Sequence, residues 1–181
     1  MLSQLIENLR ARGPLDRSAG EMHALLAAGA RAWEGNRRLP SRVGAYTRTC
    51  AYRDDAFEVV LLNWAPGSAS PIHDHGDQHC WMIVLSGALD VDDYKRLDRG
   101  TVPGYARVEP SGFSTLGPGG VDLRSGRFSL HRVSARADGS ALSLHIYSAP
   151  LQRFFVYDQR ARRCDVAYGA YDEVLAHRAL R

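Results

Sequence analysis

Hydrophobic spacing changes character near residue 40 of the chain. Before that point apolar residues recur at helical intervals, with Leu2, Leu5, Ile6 and Leu9 on one face. After Gly13-Pro14 a second helical stretch runs from Ser18 to about Trp33. Ser18 and Glu21 stand at capping-box spacing, so hydroxyl and carboxylate can satisfy amides that the first helical turn leaves unpaired. From Arg42 onward the pattern becomes short β-rich runs broken by Gly, Pro and Asp: GAYTRTCAYR, FEVVLLNW, CWMIVLSG, ALDVDDY, YARVEP, RFSLHRVSA, ALSLHIYS and RFFVYD. No long helix separates these runs, so antiparallel pairing in a sandwich or barrel is expected. The predicted organisation is one mainly β domain: a helical segment over 1–40 packed on a β-barrel of 41–170, then a short helix or tail over 171–181, its helical turns running from Tyr171 to Leu180. Leu116 to Gly126 is glycine-rich and reads as a mobile loop.

Composition narrows the classes. With 181 residues, 45% of them hydrophobic, the chain suits a single full-sized core. No apolar run approaches the roughly 18 residues of a membrane span, and the amino terminus has charges where a signal peptide would have an apolar core, so a cytoplasmic protein without a membrane partner is expected. Lys95 is the sole lysine among 23 basic residues, and these are interspersed with 20 acidic ones. No basic stripe alternates with stacking aromatics, which argues against a nucleic-acid partner. Three widely spaced cysteines, Cys50, Cys80 and Cys164, offer neither a disulfide framework nor a CxxC knuckle. Cys50 and Cys164 lack a neighbour that would activate a thiolate, His23 and His177 read as surface or capping side chains, and nothing points beyond a monomer.

The chemistry concentrates in the β region. In Pro71-Ile72-His73-Asp74-His75, residues i and i+2 of an extended strand project from one face, so His73 and His75 can offer two imidazoles to a metal while Asp74 turns away. An HxH pair on an exposed strand needs no metal, but these histidines lie between apolar runs, where buried rings require partners. A third ligand has two candidates, His131 in SLHRV and His145 in SLHIYS. Three neutral imidazoles around iron(II) keep a net charge near +2, which favours an anionic thiolate and leaves positions for substrate and dioxygen. Ser143, His145 and Tyr147 alternate on one strand face, so one His145 ring nitrogen can bond the serine hydroxyl and the other the tyrosine phenol, a proton relay; an ordinary half-buried strand face is the simpler alternative.

Gly67, His73, His75 and Gly87 match the first cupin motif, G-x5-H-x-H-x4-E-x6-G, with Cys80 where most cupins carry a glutamate. With SLHRV and LSLHIYSAP following in order, the stretch from about Tyr46 to Arg160 resembles cysteine dioxygenase, a thiol dioxygenase family of the cupin superfamily. The resemblance implies a single jelly-roll-like barrel, iron(II) held by His73, His75 and His131, and a supporting network of Ser143, His145 and Tyr147. It implies a Cys80–Tyr147 thioether, and Arg48 in Tyr46-Thr47-Arg48 as anchor for the substrate carboxylate, with Tyr46 beside it. Trp64 and His79 fall at pocket-lining or supporting positions. The second cupin motif is poorly kept, with Ala135 where an asparagine might stand, and the first forty residues show no match. The expected reaction is oxidation of L-cysteine by dioxygen to the sulfinic acid. 3-Mercaptopropionate or mercaptosuccinate as substrate, a cupin enzyme of other chemistry, and a metal or ligand sensor are the alternatives.

Overall fold

A computed structural model of the chain describes residues 2–31, 33 and 38–175. Helix α1 (Leu2–Arg12) buries Leu2, Leu5, Ile6 and Leu9 and ends at Gly13, whose positive φ of 71° lets its amide donate back to the Leu9 carbonyl. Helix α2 (Ala19–Arg31) starts from the capping box as expected: the Ser18 amide donates to Glu21 Oε2 at 2.8 Å and the Glu21 amide to Ser18 Oγ at 3.3 Å. Gly29 of α2 lets the helices approach closely, since a Cβ there would lie 3.0 Å from Leu5 Cδ2.

Twelve strands follow: β1 (Tyr46–Arg53), β2 (Glu58–Trp64), β3 (Ile72–His73), β4 (His79–Ser86), β5 (Leu89–Arg96), β6 (Val108–Leu116), β7 (Val121–Ser125), β8 (Leu130–Ala135), β9 (Ala141–Tyr147), β10 (Arg153–Asp158), β11 (Arg163–Tyr168) and β12 (Glu173–Val174). They form two six-stranded sheets, β12-β1-β2-β9-β4-β7 and β11-β10-β3-β8-β5-β6. Every pairing within them is antiparallel except the β1–β12 contact. This is the cupin-type jelly roll.

The first sheet is buried on both faces, which is why FEVVLLNW and CWMIVLSG read as continuous apolar runs. Its outer face, with Val59, Leu61, Ile83, Leu144 and Ile146, packs under Leu5, Leu9, Met22 and Leu26 of the helices. Its inner face turns Val60, Leu62, Trp64, Met82 and Val84 toward Leu89, Val91 and Val133 of the second sheet. Strand alternation then decides the rest: because Leu144 and Ile146 face the helices, Ser143, His145 and Tyr147 face the barrel interior. Both motif glycines occupy left-handed backbone, Gly67 at φ 70° and Gly87 at φ 72°, and a Cβ on Gly87 would fall 2.2 Å from the Ser140 carbonyl.

Two expectations need correction. Leu116 to Gly126 is not one loop: Val121–Ser125 is strand β7, paired along β4, and the turn before it is pinned by the Gly119 amide to Val84 O at 2.8 Å. The glycines serve that turn, while Asp122 and Arg124, alternating with Val121 and Leu123, form an ion pair in the strand. At the other end, Glu173–Val174 is a strand alongside Thr49 and Cys50, where a helical turn was expected; residues 176–181, including His177, lie outside the described residues.

Candidate metal centre

Cross-strand register brings the histidines together. His73 of β3 is directly paired with His131 of β8, and His75 follows two residues later. Ring centroids are 4.7 Å apart for His73–His131 and 5.0 Å for both His73–His75 and His75–His131. One ligand nitrogen from each lies within 4.8 Å of the others. His145, the other candidate for the third place, sits on β9 of the opposite sheet and is outside this group.

Asp74, between the two histidines of the HxH pair, is buried and points the other way: it accepts bonds from Tyr157 Oη (2.8 Å) and from the amides of Phe155 and Gly76 (3.0 Å each). That anchors the histidine-bearing segment to β10. His73 Nδ1 lies 3.0 Å from the Pro71 carbonyl, which can only accept, so Nδ1 carries the proton and Nε2 keeps its lone pair. Burial lowers the pKa of His73 to about 4 and drives those of His75 and His131 well below the ordinary histidine value. All three rings are therefore neutral near pH 7, the form that ligates a metal. His75 Nδ1 is buried without a hydrogen-bond partner among the described residues. Three converging neutral imidazoles, two of them (His75 and His131) with an Nδ1 that has no hydrogen-bond partner among the described residues, fit a divalent transition metal.

One neighbour was missed by sequence reasoning because it sits on β7, read as loop. Asp122 Oδ2 comes within 3.0 Å of His131 Nδ1, though not in line with a ring N–H. Its carboxylate is gripped by Arg124, whose Nε and Nη2 approach at 2.8 and 2.5 Å, and Arg124 Nη1 reaches Asp93 at 2.7 Å. A carboxylate that accepts the outer N–H of a metal-binding histidine orients the ring and raises its basicity, and Asp122 stands within reach of that role at His131. Replacing Asp122 with Asn should weaken metal affinity about 10- to 100-fold, read by competition with a chelator, while the apoprotein melts near the wild-type temperature.

On the opposite wall, Ser143 Oγ lies 2.8 Å from His145 Nε2 and accepts from Trp64 Nε1 at 2.9 Å. The remaining nitrogen of His145 does not reach the Tyr147 phenol as expected: Nδ1 faces Cys80 Sγ at 3.8 Å. The two rings lie nearly parallel, with centroids 6.2 Å apart. Cys80 and Tyr147 are a directly opposed cross-strand pair. Burial pushes both the Cys80 thiol and the Tyr147 phenol above their ordinary ranges, so each is held protonated. His79 stacks on Trp81, away from the centre.

Arg48 of β1 reaches the same cavity, which Tyr46, Trp64, Leu151 and Phe154 also line. Its Nε donates to the Ala170 carbonyl at 3.0 Å and its guanidinium lies 5.8 Å from the Tyr147 ring centroid. Nη2 is buried without a partner among the described residues. A more open depression near Arg53, Asp77 and Arg153 shares only Phe154 with this cavity; it contains no ligand cluster among the described residues, and its Arg127 is already paired with Asp77 at 2.7 Å.

The buried imidazoles also make the fold acid-sensitive. His145 is lowered to about 3 by burial first and Arg48 second. An unfolded histidine takes up a proton near pH ~6.5, which the folded rings refuse, so stability falls as pH drops below about 6.5 and levels off only near each folded pKa. For His145 the full interval is on the order of 5 kcal/mol. Urea midpoints of the metal-free protein should decline between about pH 6.5 and 4, and His145→Gln should flatten that slope.

The family model for "Cysteine dioxygenase type I" matches residues 20–160, reaching further toward the amino terminus than the resemblance read from motifs. Cysteine dioxygenase type 1 of Danio rerio is 34% identical over 117 residues, covering 64% of this chain and 57% of that protein. The Rattus norvegicus protein of the same name is 31% identical over the same share of the chain and 56% of its own length. The chain thus spans little more than half the length of the curated relatives it matches. Among solved structures, the protein TT1209 from Thermus thermophilus superposes with a TM-score of 0.49 at 16% identity, covering 61% of this chain and 90% of that one. With the family model spanning most of its length, the chain belongs to the cysteine dioxygenase type I family.

Proposed function

We propose that the protein is an iron(II) thiol dioxygenase that converts L-cysteine and dioxygen to cysteine sulfinic acid, with His73, His75 and His131 as the iron ligands. Thiol plus dioxygen gives the sulfinic acid with both oxygen atoms retained on sulfur, so no other reductant is needed. When bound, the iron would supply dioxygen activation and a coordination position for the substrate thiolate. The chain supplies positioning. Arg48, with Nη2 free of partners among the described residues, forks the substrate carboxylate, and Tyr46 closes that side of the cavity. Tyr147, protonated and beside Arg48, donates a hydrogen bond toward the reacting sulfur or oxygen. His145, fixed through Ser143 to Trp64, supports the Cys80–Tyr147 edge of the pocket.

The observation that carries this reading is an unpartnered buried guanidinium nitrogen and a three-histidine cluster lining one small cavity. Oxygen uptake by iron-loaded protein, measured with L-cysteine, 3-mercaptopropionate, mercaptosuccinate and cysteamine, tests it. Fastest uptake with L-cysteine and sulfinic acid carrying label from heavy dioxygen are expected; no uptake with any thiol would refute the reading. Among the described residues the cavity lining includes no carboxylate to pair with a substrate ammonium. That favours 3-mercaptopropionate as the second reading, and the same panel ranks the two.

Cys80 and Tyr147 also suit a thioether. Its formation would join sulfur to the tyrosine ring, removing one hydrogen from each, with dioxygen as the electron acceptor. After turnover the intact mass should be lower by two hydrogens in a fraction of the protein, and Cys80→Ala should abolish that species.

A further inference from the structure

The family match ends at residue 160, yet residues after it hydrogen-bond both the backbone and the side chain of the proposed carboxylate anchor. Ala170 O takes the Arg48 Nε–H at 3.0 Å. Asp172 clasps the Arg48 backbone from both sides: Oδ2 accepts from the Arg48 amide at 2.8 Å, and the Asp172 amide donates to the Arg48 carbonyl at 2.8 Å. Its other carboxylate oxygen holds Arg42 at 2.8 Å. The parallel β1–β12 contact and the Leu175 amide, donating to Cys50 O at 2.9 Å, continue the attachment along β1.

Two further ties run into the barrel wall. Tyr171 donates a short hydrogen bond to Glu58 Oε2, a fully buried carboxylate whose Oε1 accepts from the Leu151 amide at 3.1 Å. The Gly169 amide donates to Gln152 O at 3.1 Å, and a Cβ on Gly169 would sit 2.0 Å from the Leu151 carbonyl. Leu151 lines the cavity that Arg48 enters. The segment is therefore laced both to the arginine and to the wall of the cavity it serves.

We propose that residues 169–175 form a strap that aims Arg48, with Asp172 as its positioning residue, and that this aim confers the preference for thiols bearing a carboxylate. A guanidinium is a planar fork, so occupying Nε with the Ala170 carbonyl fixes which edge remains for a ligand. That edge includes Nη2, the buried nitrogen without a partner among the described residues. Within Arg48, Asp172 touches only the backbone, and in doing so it fixes the strap so that the Ala170 carbonyl meets the Arg48 side chain, the bond that selects its direction. The proposal rests on the thiol dioxygenase reading of the cavity.

The test compares two thiols that differ only in the carboxylate, 3-mercaptopropionate and ethanethiol, in anaerobic calorimetric titrations of the iron-loaded protein, alongside KM and kcat for carboxylated substrate. Asp172→Ala should weaken 3-mercaptopropionate binding about tenfold, leave ethanethiol unchanged, and raise KM with little change in kcat. Asp172→Asn, which keeps an accepting oxygen, should recover most of that loss. Tyr171→Phe, which cuts only the tie to Glu58, should give a smaller change of the same kind. Equal weakening of both thiols, or no weakening of either in protein that melts normally, would overturn the proposal. Failure of the underlying reading has its own signature, wild-type protein that consumes no oxygen or binds the two thiols equally, and it would remove the strap's role as well.

Discussion

Replacing His131 with alanine is expected to empty the metal centre while leaving the barrel folded. The ring is one of three that converge, its cross-strand partner is His73, and its outer nitrogen faces the Asp122–Arg124–Asp93 ion cluster. Loss of a supporting residue beyond the ligands costs about 10- to 100-fold in affinity, so loss of a ligand should cost well over ~100-fold. Metal content of the purified variant and its oxygen uptake should both fall to background. Folding should survive: the substitution leaves a cavity, but it also removes a buried ring whose neutrality costs stability below about pH 6.5. His145→Gln is the informative contrast, since His145 lies on the opposite sheet and its loss should leave metal content near normal. Retention of full metal occupancy by His131→Ala would mean that the three rings do not form the centre.

The second large effect concerns Arg48. Truncating one partner of a buried, hydrogen-bonded charge pair costs about 2–5 kcal/mol, so Arg48→Gln should lower kcat/KM for L-cysteine by roughly 30- to several thousand-fold. Cysteamine, which lacks the carboxylate, should show almost no change. Lysine is not a conservative replacement: a point charge cannot hold the Ala170 carbonyl and fork a carboxylate at once. Arg48→Lys should therefore recover only part of the loss. The discriminating measurement is the ratio of kcat/KM for the two thiols, which should collapse toward unity in Arg48→Gln. A parallel fall for both would point to a general packing role.

Particular residues show how far the chain could be read before folding. Ser18 and Glu21 marked the start of a helix correctly because a capping box is a contact across three residues. The alternation of Ser143, His145 and Tyr147 placed them on one face, and the HxH spacing placed His73 with His75. The bond from His145 to the Tyr147 phenol did not follow, because which atom meets the second ring nitrogen depends on β4, and β4 delivers Cys80 there. Asp122 went unnoticed for a similar reason. A glycine-rich stretch looks like a loop until β4 supplies the partner that makes Val121–Ser125 a strand.

What the sequence determined alone was carried by period and short-range contact: two helices, a mainly β remainder, and the shared faces of His73 with His75 and of Ser143, His145 and Tyr147. Residue chemistry added the metal-binding pair and a shortlist of two for the third ligand. The resemblance favoured His131 over His145; tertiary structure set His131 beside the pair, brought Asp122 to that cluster, and laid residues 169–175 over Arg48. The physical reason is register: backbone hydrogen bonds between strands far apart in the chain choose which residues stand opposite, and no local preference encodes that choice.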